Sequence, residues 1–153
     1  MLSLSEYLTL IVTITNLAAI PTIQFAFSKS LYLDAILIFF AMFGSLLHHI
    51  SARNRGLEPV LFAKYSGELL WLDRIAAVMA ISRILYIVYT YNIYSKASID
   101  EYLLVFVTLS CLFYSDVILK FNVIFTDKLK YTAIHSLWHI CAFVSAKQVL
   151  TYV

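Results

Sequence analysis

The chain has 153 residues, of which 62% are hydrophobic and 13% are charged, and its formal net charge is +2. Soluble domains are nearer half apolar and a quarter charged, so this composition predicts an integral membrane protein with one compact domain, residues 1–153. The small net charge argues against a nucleic-acid partner, and no basic run with interleaved aromatic residues supports one. Cys111 and Cys141 lie in apolar segments and do not make a disulfide framework.

Five apolar stretches are long enough to cross a bilayer, for which about 20 residues are needed. In chain order they cover residues 6–27, 31–51, 68–91, 100–120 and 131–152. The first has no basic region before it and carries Glu6, so it is interpreted as a retained span rather than a cleaved signal. Polar breaks separate the spans, and Ser98 with Glu101 predicts a capping box at the start of the fourth. The predicted fold is all-α, a polytopic transmembrane helix bundle of about five spans.

Lysine and arginine predict which ends of the spans face the cytoplasm, because cytoplasmic loops are enriched in both. The loops on the side of the N-terminus hold six such residues, against three on the opposite side. The six are Arg53, Arg55, Lys64, Lys120, Lys128 and Lys130, and the three are Lys29, Lys96 and Lys147. The N-terminal side is therefore predicted to be cytoplasmic.

All four histidines fall within predicted spans. In "HSLWHI", His135 and His139 are four residues apart and share one helix face. His49 ends the second span on the same side of the membrane, whereas His48 points about 100° away from it. Three imidazoles with one open ligand position are the pattern of a catalytic zinc site. We therefore expect His49, His135 and His139 to bind a metal ion near the N-terminal side.

Two further polar residues are predicted at the same depth. Asp73 begins the third span on that side, and Ser45 precedes His49 by four residues on one helix face. In a hydrolytic site a carboxylate accepts a proton from the attacking water, and a hydroxyl stabilises the oxyanion. Asp73 and Ser45 are the predicted catalytic residues, with Glu68 as the alternative carboxylate, and the site is expected between spans two, three and five.

Other interpretations of these polar residues remain open. A single HxxxH pair is a weak metal signal, because intramembrane histidines also hydrogen-bond neighbouring helices. A haem between spans two and five is a third alternative, although histidines four apart suit one small ion better than two axial positions. Arg83 lies in the middle of a span and is interpreted as structural, since it needs a partner there.

The order of these motifs resembles the CREST superfamily, which includes alkaline ceramidases, adiponectin-receptor-like proteins and GPI-processing lipases. Its signature is SxxxH late in one helix, Asp in the next and HxxxH in the last, matched here by Ser45, His49, Asp73, His135 and His139. The first span, "TITNLAAIPTI", is similar to the branch that contains GPI-processing phospholipases and the fusion protein myomaker. The resemblance implies zinc bound by the three histidines, with Asp73 and Ser45 beside it. It also implies hydrolysis of an amide or ester bond in a membrane lipid.

The chain departs from the superfamily in two features. Members usually have seven spans, and losing two keeps the ligands on one side but removes part of the wall of a lipid pocket, which a homo-oligomer would complete. The acidic N-terminal calcium motif of alkaline ceramidases is also missing. The alternative function is a non-catalytic membrane-remodelling or fusion factor resembling myomaker, with a structural zinc site. Ser45 and Asp73 favour the enzyme, because a structural site needs neither.

Overall fold

The computed structural model describes residues 2–52, 57–116 and 125–153, and within these ranges every regular element is helical. The α-helices are α1 (Leu4–Thr15), α2 (Ile20–Ser28), α3 (Tyr32–Ser51), α4 (Ser66–Thr90), α5 (Ile99–Asp116) and α6 (Phe125–Leu150). The predicted all-α fold is confirmed. Arg53, Arg55 and Lys120, which contributed to the predicted orientation, lie outside the described residues.

A 3-10 turn at Asn16–Ala19 joins α1 to α2, so that Leu4–Ser28 forms one continuous helical stretch. Pro21 accounts for the tighter winding, because it has no N–H for the carbonyl of Leu17 four residues earlier. That carbonyl accepts instead from the N–H of Ile20, three residues away, as in a 3-10 helix. The turn places the end of α1 against α6.

The predicted helix boundaries are close to those observed, with one clear error. The capping box before α5 is confirmed, since Ser98 N–H donates to Glu101 Oε2 at 2.7 Å and Glu101 N–H donates to Ser98 Oγ at 3.3 Å. The predicted break at residues 126–130 is wrong, because α6 already begins at Phe125. The segment "TDKLK" contains no Gly or Pro, so its polar residues extend the helix rather than stop it.

The distribution of polar and apolar side chains is inverted relative to a soluble protein. Large apolar residues are exposed on α4 and α5, among them Trp71, Val78, Leu85, Tyr89 and Phe106, whereas polar residues such as Asn16, Thr22, Ser115 and His139 are buried. Within the described residues, Leu4–Ser28 and Tyr32–Ser51 are long and apolar enough to cross a membrane by length and composition. Extensive exposed apolar surface marks contact with a membrane or with another protein.

An ion pair joins α3 to α4 at the end of α3 away from the histidines. Arg83 donates from Nε to Asp34 Oδ1 at 2.7 Å and from Nη2 to Oδ2 at 3.3 Å. Asp34 is buried, with 2% of its side-chain surface exposed, so its charge depends on this partner. The pairing supplies the partner that Arg83 requires.

Candidate metal centre

Three histidines from two helices meet in the interior. His49 lies in the last turn of α3, and His135 and His139 lie one turn apart on α6. The Nε2 atoms of His49 and His135 are 3.2 Å apart, and one ligand nitrogen from each ring lies within 4.8 Å of the others. All three side chains are buried, with 6%, 4% and 2% exposed in chain order. The three histidines are therefore close enough to bind one metal ion.

The chemistry of these nitrogens fits a metal ion. A tetrahedral zinc ion with Zn–N bonds of about 2.0–2.1 Å separates its ligand nitrogens by roughly 3.3 Å, close to the His49–His135 distance. The Nε2 atom of His139 is buried, and none of the residues that the structure describes forms a hydrogen bond with it. Leaving a polar atom in that state is costly, and coordination to a cation removes the cost. Three neutral imidazoles suit zinc, and also copper, iron or nickel.

His48 lies next to this group but outside it. Its ring centroid is 5.3 Å from that of His49, and its ring is tilted by 48° to that of His49. The group of possible ligands found among the described residues contains His49, His135 and His139 only. The Nε2 atoms of His49 and His135 are at hydrogen-bonding distance, and this spacing favours one small ion over the two axial positions of a haem.

Ser45 and Asp73 line the same cavity as His139. Ser45 is buried on α3, and Asp73 is half-buried on α4. The two helices touch through Gly44, where an added Cβ would lie 3.1 Å from the Cα atom of Asp73. This close approach holds the backbone of Asp73 directly against the residue before Ser45. The structure thus brings both predicted catalytic residues to the cavity that His139 borders.

Glu68, the alternative carboxylate, does not share this position. It is exposed on the first turn of α4 and is absent from the lining of the cavity in the described part of the chain. Of the two predicted carboxylates, Asp73 is therefore the one that lines the cavity beside His139.

We expect Gly44→Ala to disturb the site, whereas Gly67→Ala should not. An alanine Cβ at position 44 would lie 3.1 Å and 3.3 Å from backbone atoms of Asp73, so the two helices must separate by a few tenths of an ångström. Overpacking of this kind costs about 1–3 kcal/mol. At Gly67 an added Cβ meets nothing within 4 Å, and alanine favours the helix by about 0.5–1 kcal/mol. Thermal unfolding of the two variants in detergent measures the difference; equal melting temperatures would contradict the close packing.

Two hydroxyl groups contact the histidines, and sequence reasoning missed both. Thr15 Oγ1 lies 3.0 Å from Nδ1 of His139, and Ser115 Oγ lies 3.2 Å from Nδ1 of His135. Thr15 ends α1 and Ser115 lies in the last turn of α5, so these contacts connect two more helices to the site. Ser115 belongs to no motif, and Thr15 lies in the stretch "TITNLAAIPTI" without a predicted role. Nothing in the sequence distinguishes either hydroxyl from the many other Ser and Thr residues in the spans.

A cavity of about 470 Å³ extends from the site between α3, α4, α5 and α6. Its walls are mainly apolar, with Ile81, Leu85, Val105, Leu109 and Phe143 among the lining residues. Tyr94, Glu101, Tyr102 and Tyr152 also line it, at the ends of the helices farther from the histidines. There, Tyr152 donates a hydrogen bond to Glu101 at 2.8 Å, and Tyr102 donates one to the carbonyl of Tyr94. The cavity is therefore mainly apolar, with polar groups toward both ends and the hydroxyl groups of Thr108 and Ser145 between them.

The fold and the site define an all-helical protein with a buried candidate metal site made of three histidines. Residues 6–117 match the family described as "Protein of unknown function (DUF3522)", which is most of the chain, so the protein belongs to that family. The matched segment includes Ser45, His49 and Asp73 and ends before His135 and His139. Neither the curated proteins nor the solved structures contain a match to this chain.

Proposed function

We propose that this protein is a multi-pass membrane hydrolase that uses zinc to cleave an amide or ester bond in a membrane lipid. The observation that carries the proposal is the convergence of His49, His135 and His139 beside an apolar cavity that Ser45 and Asp73 also line. A metal site, a carboxylate and a hydroxyl together are what hydrolysis of a carbonyl compound needs.

The lengths and surfaces of the helices support a membrane location. Leu4–Ser28, with 25 residues, and α3, with 20 residues, are long and apolar enough to cross a membrane. We extend this to five spans by adding α4 and α6, whose 25 and 26 residues make about 37–39 Å of helix against a hydrocarbon core of about 30 Å, and α5, which is described over 18 residues. The exposed apolar residues of α4 and α5 would then face lipid. We place the N-terminus and the metal site on the cytoplasmic side, because lysine and arginine are in excess toward that side in the sequence.

Zinc held by His49, His135 and His139 would supply a Lewis acid that acidifies water and polarises a carbonyl group. The residues of the chain supply the rest. Asp73 accepts the proton of the attacking water, while the Ser45 hydroxyl donates a hydrogen bond to the developing oxyanion. Water then adds across the C–N or C–O bond, which releases a carboxylic acid and an amine or alcohol. Burial of the histidines keeps bulk water away from these groups.

The apolar lining of the cavity favours a lipid as the substrate. Its apolar walls match a hydrocarbon chain, and burying such a chain is favourable by about 25 cal/mol per Å² of apolar surface. Ser45, Asp73 and His139 border the cavity near one end, so a chain seated along it presents its carbonyl group to them. The substrate would enter sideways from the bilayer, and its bond would be cleaved at the polar end.

We expect removal of the metal to abolish hydrolysis reversibly. The experiment measures fatty-acid release by the detergent-purified protein from ceramide and from phosphatidylcholine, with the metal content determined in parallel. Release should stop after dialysis against a chelator and return on addition of Zn²⁺, because the proposed electrophile is the ion. Protein without stoichiometric metal, or release that the chelator leaves unchanged, would contradict the proposed function.

A further inference from the structure

We infer that Thr15 and Ser115 are positioning residues that hold His139 and His135 in the tautomer protonated on Nδ1, so that both Nε2 lone pairs face the metal position. This inference rests on the proposed metal site for its purpose, although the tautomers themselves follow from hydrogen bonds within the chain. Partners of this kind commonly orient metal-binding imidazoles in proteins. Here they are hydroxyl groups of two different helices.

The Thr15 hydroxyl donates its proton to a backbone carbonyl group. Because the helix tightens after α1, the N–H of Asn16 bonds the carbonyl of Thr13 rather than that of Val12. The Val12 carbonyl accepts the Thr15 hydroxyl instead, at 2.7 Å, together with the side-chain amide of Asn16 at 3.3 Å and a hydrogen bond from the His139 ring. A hydroxyl has one proton, so Oγ1 has only lone pairs to offer the Nδ1 atom of His139 at 3.0 Å. Nδ1 must therefore be the donor.

Ser115 repeats the arrangement on α5. Its hydroxyl donates to the carbonyl of Leu112 at 3.1 Å and lies 3.2 Å from Nδ1 of His135. Ser115 has no exposed surface, so water does not replace either contact. Because the single hydroxyl proton of Ser115 is donated to the Leu112 carbonyl, Nδ1 of His135 is the donor in its contact with Ser115.

The two tautomers leave both Nε2 atoms as lone-pair donors pointing at one place. A neutral imidazole carries its proton on one nitrogen and a lone pair on the other. Nε2 of His139 is one of the buried atoms that have no hydrogen-bond partner among the described residues, and Nε2 of His135 lies 3.2 Å from Nε2 of His49. Thr15 and Ser115 thus prepare two ligands before a metal ion arrives.

The first test removes one hydroxyl without changing the shape of the side chain. Thr15→Val should weaken zinc binding by about 10–100-fold, as loss of such a partner typically does. Thr15→Ser restores the hydroxyl and should restore the affinity. Thr13→Val is the matched control, since Thr13 is a buried threonine of α1 whose hydroxyl, within the described ranges, bonds the carbonyl of Thr9 alone, at 2.8 Å. Affinity is measured by competition with a chromophoric chelator.

Ser115→Ala is the corresponding change on α5, and the same loss of affinity is expected. If Thr15→Val and Thr13→Val bind zinc equally tightly, Thr15 does not position His139 and the inference is overturned. Helical circular dichroism of each variant shows whether a loss of affinity reflects unfolding instead.

The second test reads the tautomers directly and needs no metal. Nitrogen NMR of the metal-free wild-type protein, labelled at histidine and held at about pH 8 so that the rings are neutral, should show Nδ1–H on His135 and His139. In Thr15→Val, His139 should shift toward a mixture of tautomers while His135 stays unchanged. A wild-type spectrum with Nε2–H on either ring would overturn the inference. Wild-type protein that shows the expected tautomers but binds no zinc would overturn the proposed function alone.

Discussion

Replacing His139 with alanine is expected to remove zinc from the protein and to abolish hydrolysis with it. A structural zinc site with four ligands is worth about 10–16 kcal/mol, so one ligand contributes roughly 3 kcal/mol, or on the order of 10²-fold in affinity. His139 is the most deeply buried of the three histidines, and its Nε2 atom has no hydrogen-bond partner in the described part of the chain. Metal analysis of the purified variant, together with a chelator competition, measures the loss.

His48→Ala is the matched control for this change. His48 is a buried histidine on the same helix as His49, but it lies outside the group of possible ligands. The variant should keep the metal content and the affinity of the wild type. Equal metal content in His139→Ala and the wild type would remove the basis of the metal site, whereas loss of metal in His48→Ala would place His48 among the ligands.

Local periodicity explains which parts of the site the sequence predicts. His135 and His139 are one helical turn apart, so a helix over this segment is enough to place both rings on one face. Ser45 and His49 follow the same rule on α3. Parity of the spans then places Asp73 at the same end of the bundle, and the structure brings it to the cavity that Ser45 and His139 also line. These relations depend on helix geometry and chain direction, and both can be predicted from the sequence.

Contacts between helices could not be predicted in the same way. Thr15 reaches His139 because the chain tightens into a 3-10 turn before Pro21, and Thr9 or Thr13 would have been equally plausible from the sequence. Ser115 reaches His135 only because α5 packs beside α6. Such contacts depend on how the helices are rotated and shifted against each other. The periodicity of the sequence does not determine either quantity.

Gly44 shows a third kind of information that appears only in the structure. In the sequence, Gly44 is a single small residue next to Ser45 in an apolar helix. At such a position glycine is unfavourable by about 1 kcal/mol relative to alanine. Its role becomes clear from the 3.1 Å separation between its ideal Cβ position and the backbone of Asp73. A small side chain here lets α3 and α4 approach closely. The position of Asp73, the proposed general base, therefore depends on a residue that has no side-chain functional group.

Asp73→Asn is expected to lower lipid hydrolysis by about 10²–10⁴-fold while the metal content stays at the wild-type level. Asparagine has nearly the shape of aspartate, but its amide does not accept a proton from water. Asp73 is not among the grouped histidine ligands, so its replacement leaves the three imidazoles in place. Fatty-acid release from ceramide and phosphatidylcholine, measured beside metal analysis, separates loss of catalysis from loss of the site.

Glu68→Gln is the control, because it removes the charge of an exposed carboxylate on the same helix, five residues earlier. It should hydrolyse lipid at the wild-type rate. If Asp73→Asn retains full activity with its zinc, Asp73 is not the general base. If the zinc-loaded wild type hydrolyses neither lipid, and Asp73→Asn still supports the protein's cellular function, the non-catalytic alternative of a membrane-remodelling factor with a structural zinc is favoured. The isosteric change distinguishes the two functions because only a hydrolase needs a proton acceptor beside its metal.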